Sequence, residues 1–272
     1  MVKTKIQENI NDVMLPNQKY YAFDWDDNIV TMPTKIMLKD EDGNTVGMST
    51  EKFAKYRDII GKEPFEFNDK TIVGFSEDPF KYFRVKGDKQ FIIDSMMAKP
   101  GPAWPDFVEA INNGSIFAIV TARGHTPNVI KEACYNYIVS NTNGIYTKEL
   151  IKNLEKYRDL ADQENVSKRQ MIRDYLDLCK FYPVSYGDGS ELNPEEGKIK
   201  ALNEFVNYIK NVSLKLQEKL YFKKIIGNYF VPSIGFSDDD IKNVDSVKKH
   251  FEKDPENIIK TYSTEGGIKK EY

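Results

Sequence analysis

Cysteine is scarce. Only Cys134 and Cys179 carry thiols in a chain of 272 residues, and their wide separation excludes a disulfide framework or a paired-cysteine metal site. Each stands among apolar neighbours at helical spacing, the setting of a buried thiol. Long hydrophobic runs are missing: the longest, Ile116 to Ala122, falls far short of the roughly 20 residues that span a bilayer. The opening residues, MVKTKIQENINDVMLP, lack the apolar segment of a secretory signal. A soluble, reduced protein of the cytoplasm is the expectation, with no membrane partner. No charge of one sign dominates either. The net charge is −3, with 30% charged residues of mixed sign, so there is no electrostatic basis for binding nucleic acid. Internal repeats and low-complexity tracts are absent, which excludes solenoids and arrays.

Hydrophobic residues make up 40% of the chain and aromatics 12%, enough for a packed core. The length suits one α/β domain with a smaller appendage. Five short apolar runs end in polar residues. Tyr20 to Phe23 leads to Asp24, Ser115 to Val120 to Thr121, and Pro183 to Tyr186 to Gly187 and Asp188. Pro232 to Phe236 leads to Ser237 and Asp238, and Asn257 to Thr261 comes last. Runs this short, rich in β-branched and aromatic residues, suit strands buried on both faces.

Helical patterns fill the intervals. Asp106 to Asn113 ends at Gly114, a natural C-cap. Pro127 to Val139 opens on Thr126 and Pro127, an N-cap with proline at the first helical position. Glu195 to Ile209 and Asp239 to Phe251 each gather apolar residues on one face. Alternating strands and helices predict a doubly wound, mostly parallel sheet, with ligands bound outside the carboxyl ends of its strands. The core is assigned to 18–30, 100–140 and 181–265. A smaller cap is assigned to 31–99, with a hairpin turning at Asp42-Gly43, and a helical insertion to 141–180. Both insertions follow chemistry-bearing strands and are expected to roof the site. The cap's aromatics (Tyr56, Phe65, Phe67, Phe75, Phe80, Tyr82, Phe83) are read first as its own small core.

The segment FDWDDNIV places Asp24, Asp26 and Asp27 at one strand end. Like charges so close require a cation or a raised pKa. In extended chain Asp24 and Asp26 point the same way, and Trp25 points into the sheet's packing. Asp24 can act as nucleophile towards phosphorus and Asp26 as general acid and base. Thr121, in AIVTARG, offers a hydroxyl, and the backbone amides of Ala122 and Arg123 lie beside it, a setting for phosphoryl oxygens. Lys198 stands near a helix start, where the helix dipole does not favour a cation, so a charge meant for phosphate explains it. Lys200 is its rival. GFSDDD supplies Asp238, Asp239 and Asp240. Oxygen ligands from two acidic strand ends describe a Mg²⁺ site. His125 is left between helix capping and the surface, Asn243 between bracing the GFSDDD loop and the surface, and Asp188 is read as part of a turn.

The order acidic pair, Thr, Lys, acidic pair, each at a strand end or helix start, resembles the four motifs of the haloacid dehalogenase superfamily. That resemblance implies a Mg²⁺-dependent phosphohydrolase acting on a small phosphorylated substrate through an aspartyl phosphate. It implies Asp24 as nucleophile and metal ligand, and Asp26 as acid/base giving its backbone carbonyl to the metal. Thr121, Ala122, Arg123 and Lys198 would bind phosphate, and Asp238 with Asp239 would complete the metal site. Asp27 and Asn28 depart from the family's usual residues after the second aspartate. Rival readings are a nucleic-acid end-healing 3′-phosphatase, a phosphorylation-dependent switch and a non-catalytic module on the same scaffold.

Overall fold

The computed structural model describes residues 19–164, 166–187, 193–222, 231–254, 256 and 258–272. The opening segment and Asp188, with the turn expected there, lie outside them. In chain order the elements begin with strands β1 (Lys19–Phe23), β2 (Val30–Thr31), β3 (Ile36–Asp40) and β4 (Thr45–Met48), then helix α1 (Thr50–Tyr56). Strands β5 (Phe65–Phe67) and β6 (Lys70–Phe75), helix α2 (Asp88–Met97), strand β7 (Lys99–Pro100), helix α3 (Trp104–Asn112), strand β8 (Phe117–Thr121) and helix α4 (Pro127–Val139) follow. Helices α5 (Thr147–Leu160) and α6 (Lys168–Leu178) lead to β9 (Lys180–Pro183). Then come α7 (Pro194–Phe222), β10 (Ser233–Asp238), α8 (Ile241–Phe251), β11 (Ile259–Ser263) and β12 (Lys270–Glu271).

The protein is mixed α/β. A six-stranded sheet runs β12-β11-β10-β1-β8-β9 and is parallel except at β12. Strand β1 is central. From it the chain winds through β8 to β9 on one side, then returns through β10 to β11 on the other, so the winding reverses beside β1. Alternation decides which face each side chain enters. Phe23, Phe117 and Ile119 join one apolar cluster with residues of α3 to α6, whereas Tyr20, Ala22, Ala118 and Val120 join a second with α7 and α8. Burial on both faces explains why these strands read as continuous apolar runs.

Helix α3 ends as its sequence suggests, with Gly114 in a left-handed conformation (φ 65°) just beyond it. Helix α4 has the expected bounds, with Thr126 at the N-cap and Pro127 following, but the Thr126 hydroxyl makes no capping hydrogen bond. Helix α7 runs well past Ile209. Its start is held by Asn193, whose Oδ1 accepts from the Glu196 N–H (2.8 Å).

Two expectations are corrected. The strand expected at Pro183 to Tyr186 lies earlier, at Lys180–Pro183. Proline ends it, and the Tyr186 N–H turns back onto the Pro183 carbonyl (3.0 Å). This is an edge strand whose Phe181 and Tyr182 follow directly on a helix, so no breaker marks its start. Residues 141–180 do not roof the site. Leu150, Ile151, Leu154, Met171, Ile172, Tyr175 and Leu176 are buried in the same cluster as α3 and α4, because the crossover from β8 to β9 must cover that face of the sheet.

Residues 36–83 form a second small unit: an antiparallel sheet in the order β4-β3-β6-β5, with the hairpin turning at Asp42-Gly43. Its core holds Ile36, Leu38, Met48, Ile72 and Phe83, and Phe53, Tyr56, Phe65, Phe67 and Phe80 pack against it. Of the seven aromatics expected there, Tyr56, Phe65, Phe67, Phe80 and Phe83 belong to this core, whereas Phe75 is exposed and Tyr82 lies outside the cluster. Helix α2 belongs with the main body, since Phe91 is buried in the first large cluster. Strands β2 and β7 pair antiparallel where the chain leaves and rejoins the main sheet.

Candidate active site

Asp24 directly follows β1, where its N–H donates to the Ser237 carbonyl of neighbouring β10 (2.9 Å). Asp238 ends β10. Strand parity turns Asp24 towards the α7 and α8 side and Trp25 towards the other, where Trp25 is fully buried and stacks on Tyr137 (5.9 Å between ring centres). Lys198, near the start of α7, projects between the two carboxylates. Its Nζ donates to Asp24 Oδ1 (2.7 Å) and to Asp238 Oδ2 (2.6 Å). All three side chains are buried. Lys200 is exposed, which decides between the two lysines.

The loop after β10 presents its acids by its own geometry. Asp240 is the N-cap of α8, its Oδ1 accepting from the Lys242 N–H (3.0 Å), so the helix begins later than its acidic residues suggest. Asp238 Oδ1 accepts from the Asp240 N–H (3.0 Å) and from Asn243 Nδ2 (3.1 Å). Asn243 therefore braces the loop. Of the three consecutive acids, Asp238 and Asp239 join Asp24 in one group whose carboxylate oxygens lie within 4.8 Å of one another. Asp240 instead pairs with Arg57 of the small unit (2.9 Å).

Three carboxylates and one ammonium leave an excess of negative charge in a dry place. Burial, with Asp238 and Asp26 nearby and only partly offset by Lys198, pushes the Asp24 carboxyl up to about 8. Burial, then the charges of Asp238 and Asp24, push Asp239 up strongly. Lys198 is itself driven up: its two carboxylate partners outweigh the cost of burial. This donor set fits a hard divalent cation: all oxygen, anionic and short of positive charge. Asn243, whose Nδ2 donates to Asp238, has a buried Oδ1 with no hydrogen-bond partner among the described residues.

A stability signature follows. A carboxyl whose folded pKa lies above its unfolded value of 3.8 contributes stability below about pH 4 and loses it as pH rises through about 8. A divalent cation held by these carboxylates would displace that proton and relieve the repulsion. Mg²⁺ should therefore raise the melting temperature more at about pH 9 than at about pH 6. Thermal scans with Mg²⁺ or chelator measure this, and an equal shift at both pH values would contradict it.

Thr121 ends β8 and is buried, its Oγ1 accepting from the Arg123 N–H (3.3 Å). Ala122 is exposed on the loop. Arg123, expected at the phosphate, is committed elsewhere. Its Nε and Nη2 each donate to one oxygen of Asp26 (2.7 Å both), and its side chain is 1% exposed. His125 is neither a cap nor on the surface. It is fully buried, with Nδ1 2.8 Å from Asp88 Oδ1 and Nε2 3.3 Å from Arg123 Nη1. Asp26 is thus paired with Arg123 and is not one of the three grouped carboxylates, although its charge still acts on Asp24.

Asn28 is a structural centre that its sequence position does not advertise. Its Nδ2 donates to the carbonyls of Asp24 (3.0 Å) and Ser237 (3.1 Å), and its Oδ1 accepts from Thr264 Oγ1 (2.9 Å). One buried amide ties β1, β10 and the end of β11. Asp27 has a left-handed backbone (φ 53°) and accepts from the Thr50 hydroxyl of α1, which draws the small unit towards the site.

The loop carrying Thr121 and Arg123 is also fixed from behind. A Cβ on Gly124 would lie 2.7 Å from the Ser185 carbonyl oxygen. Gly124→Ala should cost about 1–3 kcal/mol, read as a lower denaturation midpoint, and loosen this loop. An unchanged midpoint would mean the loop yields freely. No family model matches the chain, and neither does any curated protein or solved structure.

Proposed function

We propose that the chain is a Mg²⁺-dependent phosphohydrolase of haloacid dehalogenase type, cleaving small phosphate monoesters through a phosphorylated Asp24. One observation carries this reading: the buried Asp24–Lys198–Asp238 contact, with Asp239 beside it, at the carboxyl ends of two adjacent parallel strands where the winding reverses.

Asp24, Asp238 and Asp239 would hold the ion, which supplies charge neutralisation between an anionic nucleophile and an anionic substrate. The chain's own groups carry the rest. An Asp24 oxygen bonds to phosphorus as the ester oxygen leaves, and Asp26 passes a proton to that oxygen. Asp26 then takes a proton from water, the hydroxide attacks phosphorus, and inorganic phosphate departs, restoring the Asp24 carboxylate. The Lys198 ammonium, the Thr121 hydroxyl and the amides of the 121–123 loop are the donors for the phosphoryl oxygens.

The test is a phosphate-release screen over phosphorylated metabolites and 3′-phosphorylated oligonucleotides, with Mg²⁺ and with chelator. Release should require Mg²⁺ and an intact Asp24. The reading fails if no compound separates the wild type from Asp24→Asn.

A further inference from the structure

We propose that Asp88, His125 and Arg123 form a buried positioning chain that aims Asp26 at the leaving-group oxygen. The proposal rests on the phosphohydrolase reading and extends it to a residue of the long segment inserted after β1. Its links are fixed by donor and acceptor chemistry. A guanidinium only donates hydrogen bonds, so His125 Nε2, 3.3 Å from Arg123 Nη1, must accept and carry no proton. The ring proton therefore sits on Nδ1 and is donated to Asp88 Oδ1 at 2.8 Å. Burial, reinforced by the adjacent guanidinium, holds His125 below its ordinary pKa and keeps the ring neutral.

Arg123 is enclosed, its side chain 1% exposed. Its guanidinium lies 4.4 Å from the centre of the Phe83 ring and 5.0 Å from that of Phe91. Three of its N–H groups are spent on Asp26 and His125. A staple between this loop and the inserted segment would not require such a group, because the Gly124 N–H already donates to the Phe83 carbonyl (2.8 Å). Burying a guanidinium is costly unless its partners are well placed. Here the fork ends on a carboxylate that keeps some exposure, 16%. Each Asp26 oxygen receives one N–H and retains a lone pair for proton exchange. The fork fixes the carboxylate plane, Phe83 and Phe91 fix the fork, and Asp88 fixes the imidazole that completes it.

Two measurements test the chain. The first compares p-nitrophenyl phosphate, whose leaving group needs no proton, with glycerol 3-phosphate, which leaves as an alkoxide. In Arg123→Gln and Asp88→Ala the ratio of kcat/KM for the aryl ester to that for the alkyl ester should rise about tenfold or more, and Arg123→Lys should recover part of the loss. Equal falls on both esters would show general damage and overturn the proposal. Wild type no faster than Asp24→Asn on both esters is a different result, which removes the phosphohydrolase reading and this proposal with it. The second measurement needs no turnover: ¹⁵N resonances of the His125 ring should report a neutral imidazole protonated at Nδ1. A ring protonated at Nε2 would break the chain whatever the kinetics show.

Discussion

Asp24→Asn should abolish Mg²⁺-dependent phosphate release while leaving the protein folded. The amide is close to the carboxylate in shape and can still accept from Lys198, so the 2.7 Å contact has a substitute. It cannot form the phosphoryl bond on which the second half of the reaction depends. Its effect on stability should run opposite to its effect on activity. Asp24 is a buried carboxyl pushed up to about 8 by burial and by neighbouring acids, so its ionised form opposes folding in the metal-free state. In chelator near pH 8 the variant should melt no lower than the wild type, and Mg²⁺ should stabilise it less. Melting curves beside a phosphate assay give both answers. A variant that turns over at a tenth of the wild-type rate or better would remove Asp24 from the nucleophile's role.

Lys198→Met should damage both properties. Among the described residues the ammonium is the one cation that contacts both Asp24 and Asp238, and all three groups are withdrawn from water. Removing one partner of a buried ionic group costs about 3–5 kcal/mol, because the other charges remain without compensation. In chelator the variant should be destabilised on that scale, and Mg²⁺ should restore much of the loss by supplying positive charge to the same carboxylates. Activity should not recover with it. Loss of a donor to the phosphoryl oxygens costs about 10²–10³ in kcat. A stable, fully active Lys198→Met protein would show that the ammonium serves neither role.

What the sequence revealed here depended on how local the determining physics is. Strands β1, β8, β10 and β11 were legible because a strand buried on both faces must read as an apolar run, and the polar residues after β1 and at the end of β10 marked the carboxyl ends where the acidic group gathers. Asp24, Asp238 and Lys198 could be named for the same reason. Lys198 is preferred over Lys200 in the sequence only because it keeps Leu202 on the apolar face, and the rotation of α7 that this implies is the one observed: Lys198 meets both carboxylates and Lys200 is exposed. The contacts of Arg123 and His125 are not legible in the sequence for a long-range reason. Their partners, Asp26 and Asp88, and the rings of Phe83 and Phe91 come from distant stretches of chain, and no local pattern announces such a meeting. Asn28 was seen only as a departure from a motif. Its four hydrogen bonds, to Asp24, Ser237 and Thr264, exist only once β1, β10 and β11 lie side by side. The 141–180 helices were legible as helices, but their destination was not, since amphipathic helices carry no label for the face they cover.

The most direct test of the central claim is anomalous scattering from crystals soaked in Mn²⁺, a hard cation of similar ligand preference. One peak should appear in contact with carboxylate oxygens of Asp24, Asp238 and Asp239. Saturating Mn²⁺ that leaves those three side chains bare, or settles only at surface acids, would contradict the account.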